Sequence, residues 1–276
     1  MTISATTALH QLTAFRSQAL DFLTDTSSGK SFSNILGDKA GGLSSSGRNM
    51  ALFDPESAFS MMTKINGYEV AFKSQFAELS QLGNAVETME TSGTELMNDV
   101  DISDSHADIK SDLQQFVDSY NAWADRFAPS VAAGGMLDNI QAGEISIYEL
   151  EQSLGSIFNG AMSGFSGLPD IGVSIDPTTH RASIDTTRLD SALAANKTGV
   201  VATIDEFAAN FAKSADMLNQ KDNFIPRQLN NYSGAIEYIA SNRSSLEAEF
   251  GSGDPAKPTN TQAKALAAYA RASAIV

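Results

Sequence analysis

Cysteine is absent from the 276-residue chain, which removes both a disulfide framework and a thiolate metal site from consideration. Basic residues are scarce: 18 Lys and Arg stand against 33 Asp and Glu, for a formal net charge of −15. Binding to nucleic acid or an anionic membrane surface needs clustered Lys and Arg, and no such cluster exists. No apolar run is long enough to cross a bilayer. The opening stretch MTISATTALHQLTAFRSQALDFL has no basic leader followed by an apolar run and a small-residue cleavage site, so it is not a Sec-type signal. Export, if it occurs, uses a route without that leader. The length allows one sizeable core or two modest ones in a soluble folded protein.

Motifs that carry chemistry are missing as well. Ser163 and Ser166 in GAMSGFSG lack the flanking glycines of a nucleophile elbow. His10, His106 and His180 stand in separate contexts, without the helical pairing of a zinc hydrolase. GSGDPA follows no strand and runs into proline, so it fails as a dinucleotide fingerprint. Asn196, Asn231 and Asn242 begin glycosylation-type triplets of a kind frequent by chance. Asp99, Asp101, Asp104, Asp108 and His106 suggest a metal loop, but the spacing lacks the glycine turn and closing glutamate of a calcium loop. We read them instead as an acidic lead-in to the next helix, where negative charge suits the helix dipole. We expect no enzyme activity, no cofactor and no metal.

What the chain does have is a long apolar beat. From Ala58 to Leu96, Ile65, Phe72, Leu79 and Val86 fall on one heptad position, and Met61, Tyr68, Leu82, Met89 and Leu96 on its partner. Ser60, Asn66, Lys73, Glu87 and Glu95 lie on the wet side. This spacing predicts a helix roughly 60 Å long with a seam that needs another long helix. Gln75 and Gly93 interrupt the seam. Met62, Phe76 and Met97 widen it, which favours a bundle and leaves apolar surface for other subunits. Ile225, Leu229, Tyr232, Ile236, Ile239, Leu246 and Phe250 rebuild the beat near the C-terminus, with Arg243 in a seam position.

The remaining elements follow in order. Leu9, Leu12, Phe15, Ala19 and Phe22 predict an amphipathic helix from about Thr6 to Leu23, within an N-terminal segment 1–24. A Ser/Gly-rich linker spans 25–53. Asp54-Pro55 supplies an N-cap and a first-turn proline. Ile109, Leu113, Phe116, Tyr120, Trp123 and Phe127 mark a helix that ends before Pro129 and packs on the first long helix. A turn at Ala133 to Gly135 precedes a helix carrying Ile147, Leu150, Leu154 and Ile157. Val173 and Ile175, then Ala182 and Ile184, flank Asp176-Pro177-Thr178-Thr179 as two short strands. Leu189 to Leu218 is helical again, and the pattern pauses at Asn219 to Asn223. The body thus covers 54–250 with a hairpin near 172–185, followed by a linker at 251–261 and an Ala-rich helix at 262–276. The fold class is mainly α: an elongated antiparallel helical bundle or coiled coil with a small β hairpin.

Two stretches resemble the flagellar filament cap protein family, hook-associated protein 2, or FliD. One is INGYEVAFKSQFAELSQLGNAVETMETSGTELM. The more specific one is FVDSYNAWADRF, then GMLDN, then LPDIGVSIDPTTHRASIDTTRLDSALAANKTGVVATIDEF, with Val117, Tyr120, Asn121, Gly172, Asp185, Leu189, Ala192, Leu193, Val201 and Phe207 at matching places. The similarity runs from about Met62 to Phe250. It implies a non-enzymatic axial component of the bacterial flagellum, exported without a Sec signal peptide and extracellular. Its expected partners are its own copies in a ring-like homo-oligomer, flagellin or other axial proteins, and an export chaperone. Only about a dozen residues separate the first coil from the Val-x-x-Tyr-Asn helix, so the chain resembles a short form without the family's outer β domains. The expected assembly residues are Ile65, Phe72, Phe76, Leu79, Leu82, Val86, Met89, Leu229, Tyr232, Ile236, Ile239, Leu246 and Phe250. The rival reading is a cytoplasmic type III secretion chaperone or adaptor that binds an unfolded client in a helical groove.

Overall fold

A computed structural model describes residues 54–156 and 164–273. The expected N-terminal helix and linker, Ile157, Ser163, His10 and the last three residues lie outside the described set. Within it the chain is mainly helical, with one small antiparallel sheet: α1 (Pro55–Asp99), α2 (His106–Val131), α3 (Gln141–Gly155), a 3-10 turn (Leu168–Ile171), β1 (Val173–Ile175), β2 (Ala182–Ile184), α4 (Thr186–Asn219), α5 (Phe224–Phe250) and α6 (Asn260–Ser273).

The helix starts are set by short polar side chains. Asp54 accepts from the Ser57 amide at 3.1 Å ahead of Pro55, and Ser105 and Asp108 form a reciprocal capping box on α2. The Ser57 hydrogen bonds hold the Asp54 carboxyl below its ordinary range. Two expectations need correction. Helix α2 runs through Pro129 to Val131; the proline removes one amide donor, yet Ala132 still donates to the Ala128 carbonyl at 3.0 Å, so the ladder resumes across the gap. Helix α4 breaks at Asn196 (φ −154°, ψ 72°), whose side chain accepts from the Gly199 amide at 2.9 Å and restarts the helix.

The described residues form two compact units, and α1 and α5 contribute to both. The first comprises residues 54–72 and 231–257. Here α1 and α5 run antiparallel, Phe72 lying 6.0 Å from Tyr232 while Asn66 meets Arg243. Ala58, Met62, Ile65, Ile239, Leu246 and Phe250 form the core of the pair, with Met61 and Phe72 packed beside it. Tyr68, expected in the seam, is instead half in water at 50 % exposure, because the buried stripe follows Ala58, Met62 and Ile65.

The second unit holds residues 73–230 and 258–273. Phe116 of α2 meets Phe207 and Phe211 of α4 edge-on, at 5.3 and 5.0 Å, an arrangement aromatic rings favour. The aromatic face of α2 therefore turns to α4 as well as to α1. Gly93, read from the sequence as a gap in the seam, is a point of close approach: a Cβ there would sit 3.1 Å from the Phe211 ring. Asn219 ties the end of α4 to α1 by donating to the Gly83 carbonyl at 2.8 Å.

Replacing Ile239, fully buried between the antiparallel helices, by alanine is expected to cost about 2–4 kcal/mol. Glu237→Ala on the exposed face of the same helix should stay within about 0.5 kcal/mol. Urea denaturation of the two variants checks this.

Candidate functional site

Strands of three residues do not persist alone, so the hairpin must be held by something else. Its pairing is Val173 with Ile184, Ser174 with Ser183, and Ile175 with Ala182. Asp176 nucleates the turn by accepting from the amides of Thr178 (2.7 Å) and Thr179 (3.1 Å), and those two bonds hold its carboxyl below the usual range. The outer edge of β2 is closed by a side chain: Asn121 of α2 donates to the Ala182 carbonyl at 2.9 Å and accepts from the Ala182 amide at 2.7 Å. One buried amide thus stands in for a third strand. His180 pairs with Glu151 of α3 at 2.7 Å, and Arg181 pairs with Asp125 of α2. Burial, and then the Glu151 charge, push the Tyr120 phenol far above its ordinary value, so it remains neutral beneath the hairpin.

The hairpin also launches α4. Asp185 accepts from the amides of Thr187 and Arg188, each at 3.0 Å. Gly172 (φ +102°) lies so close to the end of β2 that a Cβ would fall 2.8 Å from the Asp185 carbonyl oxygen. Only glycine fits there.

An ion pair between a buried carboxylate and an exposed guanidinium forms the second feature. Glu78 of α1 takes both guanidinium nitrogens of Arg126, at 2.6 and 2.8 Å, and the Ser130 hydroxyl at 2.7 Å. Burial alone would raise the Glu78 carboxyl, but the hydrogen bonds from Arg126 and Ser130, with the Arg126 charge, hold it below its ordinary value. The pair floors an open groove of about 910 Å³ whose far wall is α6, with Ala265 and Arg271. Phe76 is half-buried: its ring meets Tyr269 of α6 at 5.6 Å, edge-on.

The acidic run after α1 is occupied by its own backbone. Asp101 accepts from Ser103 at 2.8 Å and Asp104 from the Asp101 amide at 2.6 Å, while Lys197 donates to the carbonyls of Ile102 (2.6 Å) and Asp104. Among the described residues no group of three or more His, Asp or Glu side chains is placed to hold a metal, and no helix is long and apolar enough to cross a membrane.

The residues expected to mediate assembly divide between the units. Ile65, Tyr232, Ile236, Ile239, Leu246 and Phe250 are buried and Phe72 half-buried in the first. Leu79, Leu82, Val86 and Met89 are buried, and Phe76 and Leu229 half-buried, in the second. Met62 is fully buried and Phe76 is covered by α6, so of the three side chains read as widening the seam toward other subunits only Met97 is exposed. Spacing missed the Glu78–Arg126–Ser130 cluster, because Glu78 lies about 50 residues from the other two, off any apolar stripe. Tyr120 and Asn121 were visible only as a motif, not as a clamp.

The model of the flagellar hook-associated protein 2 C-terminus matches residues 62–266. The chain belongs to the flagellar hook-associated protein 2 family. Among solved structures it is similar to the D1-D2-D3 domains of the flagellar cap protein FliD from Escherichia coli, at 18 % identity and a TM-score of 0.41, covering 46 % of this chain and 37 % of that one. The chain therefore spans little more than a third of that structure's length. No curated protein matches. The positions read from the sequence as resembling the family all fall on the clamp or the core under it: Asn121, Gly172 and Asp185 hold the hairpin, while Val117, Tyr120, Leu189, Ala192, Leu193, Val201 and Phe207 are buried.

Replacing Asn121 by leucine leaves the Ala182 amide and carbonyl facing an apolar side chain, at an expected cost of about 2–4 kcal/mol. Faster hydrogen exchange at Ala182 and Ile184 than in α5 would mark the loss as local. Because the folded Glu78 pKa lies below its unfolded value, the pair's contribution is fully present above about pH 4.5 and is lost as pH falls through the folded pKa. Glu78→Gln should accordingly lower stability at pH 7 and flatten its dependence on pH below 4.5, as read from urea midpoints across pH.

Proposed function

We propose that this chain is a structural assembly component of the bacterial flagellum, a filament-cap-like protein that associates with its own copies at the filament tip and supports flagellin assembly there. The observation that carries the reading is the family match, which extends from α1 through the hairpin and into α6. The construction of the second unit agrees with it. Its conspicuous polar groups are spent on internal ties, Asn121 on a strand edge and Glu78 on Arg126, as suits a rigid mechanical part.

Self-association in this reading draws on large apolar side chains left in water in the second unit, Met97, Ile102 and Met217, at 38, 48 and 47 % exposure. The partners are further copies in a ring, flagellin or other axial proteins, and an export chaperone before secretion. The protein acts outside the cell. The chaperone or adaptor reading has no support from the family match.

A deletion strain is expected to lose most of its motility and to carry filaments short or missing at the tip in electron micrographs, with the protein recovered from the extracellular fraction of the parent. Normal filaments and full motility in the deletion strain, or a protein confined to the cytoplasm, would sink the assembly reading.

A further inference from the structure

The groove of about 910 Å³ between α6 and the turn after α2 lies wholly within the second unit. Pro129, Met136 and Ala265 give it apolar walls, and its ionisable lining is three cations, Arg126, Lys264 and Arg271, with one carboxylate, Glu78. Glu78 is spent on Arg126. Lys264 and Arg271 are exposed and have no carboxylate partner among the described residues, Arg271 donating to the Ala267 carbonyl of its own helix at 3.1 Å. The turn that forms the near wall is tied down, since the Leu137 amide donates to the Ser130 carbonyl at 2.8 Å. A chain of net charge −15 thus carries one apolar groove of the opposite sign.

The complementary combination stands at the C-terminal end of α1. Met97 and Ile102 keep 38 and 48 % of their surface in water, with Asp99, Asp101 and Asp104 beside them in sequence. The loop between them is held in shape: Lys197 donates to the Ile102 carbonyl at 2.6 Å and to the Asp104 carbonyl, so its ammonium is occupied by backbone. Negative charge is concentrated here. Burial, and then the charges of Asp99, Asp104 and Asp108, push the Asp112 carboxyl up, and burial followed by Asp101 does the same to Asp205. About 32 Å of helix separates Glu78 from Asp99 on α1, so this tip cannot reach the groove of its own chain.

We propose that the groove receives the 97–104 tip of a second copy of this chain, Met97 and Ile102 packing on its apolar walls while the tip carboxylates face Lys264 and Arg271. The contact rests on the self-association of the assembly reading and names the two surfaces that carry it. Charges of opposite sign speed the encounter and fix its register, and the apolar pair supplies cohesion at the centre. Such an interface is heterologous, because two different patches meet. Each copy that fills a groove leaves its own groove open for the next, so the contacts close into a ring when the rotation between copies permits and run on as a filament when it does not.

Sedimentation velocity of the full chain across a range of concentrations tests this. Lys264→Glu with Arg271→Glu makes the groove acidic, and Asn98→Lys with Asp99→Lys makes the tip basic; all four positions are exposed. Each double variant alone should associate at least about tenfold more weakly than the parent, whose own association should weaken as salt rises. Mixing the two variants should restore association, because every acidic groove then meets a basic tip and every basic groove an acidic one. Circular dichroism of each variant verifies that the helical body is intact. If the parent associates and either variant alone matches it, or the mixture associates no better than its components, the proposal is overturned while self-association stands, and the groove is left to an acidic segment of another protein. A parent that stays monomeric at every concentration would overturn it together with the self-association on which it rests.

Discussion

The two hydrogen bonds between the Asn121 amide and the Ala182 backbone are the constraint on which much of the second unit depends. A two-stranded ribbon of three-residue strands has too little cross-strand contact to hold its shape, and a buried strand edge without partners carries a desolvation penalty for each amide and carbonyl. Asn is the side chain that answers both needs, because it carries a donor and an acceptor at the spacing of a peptide group. Once β2 is fixed on α2, Gly172 and Asp185 are fixed with it, and the Asp185 cap sets where α4 begins. A single buried residue on α2 therefore determines how the following helix enters the core, where Phe207 and Phe211 meet Phe116.

That dependence ties together the positions read from the sequence as resembling the family, Val117, Tyr120 and Asn121 and then Gly172 to Phe207, all of which lie within the matched residues 62–266. These are not surface recognition residues. They are the hairpin, its clamp and the apolar floor under it, and in this chain they build a scaffold. Where such a scaffold acts, and on what, is decided by the surfaces it carries.

Long, regular elements were legible in the sequence because apolar spacing alone specifies them: α1, α5 and the hairpin stand close to where the periodicity puts them. Legibility failed where one chemical group overrides a period. Pro129 looks like a helix end, but at the last turn it costs only one donor. Asn196 sits in phase with a continuous helix, yet its side chain bonds the Gly199 amide and breaks it. Gly93 reads as a gap and is a contact. Tyr68 keeps heptad register and is nonetheless pushed to the rim, since the buried stripe in the first unit runs one residue later, through Met62. The Glu78–Arg126 pair has no local signal at all, because complementary charges 48 residues apart leave no trace in either segment.

Periodicity also leaves an ambiguity that these polar exceptions remove. A helix with a seven-residue apolar beat can slide by one heptad, about 10 Å, and still offer apolar side chains to its neighbours. The apolar stripe therefore distinguishes poorly between registers. Glu78 distinguishes sharply: slid by a heptad it would leave Arg126 and Ser130, and the desolvation of its carboxylate would lose the hydrogen bonds that offset it. Arg243 does the same within the first unit, where only one register brings it to both Asn66 and Glu69. Asn219 adds a further check through the Gly83 carbonyl. In this chain the apolar residues supply most of the cohesion, and a handful of buried and half-buried polar groups, placed off the repeat, decide which of several nearly equivalent alignments forms.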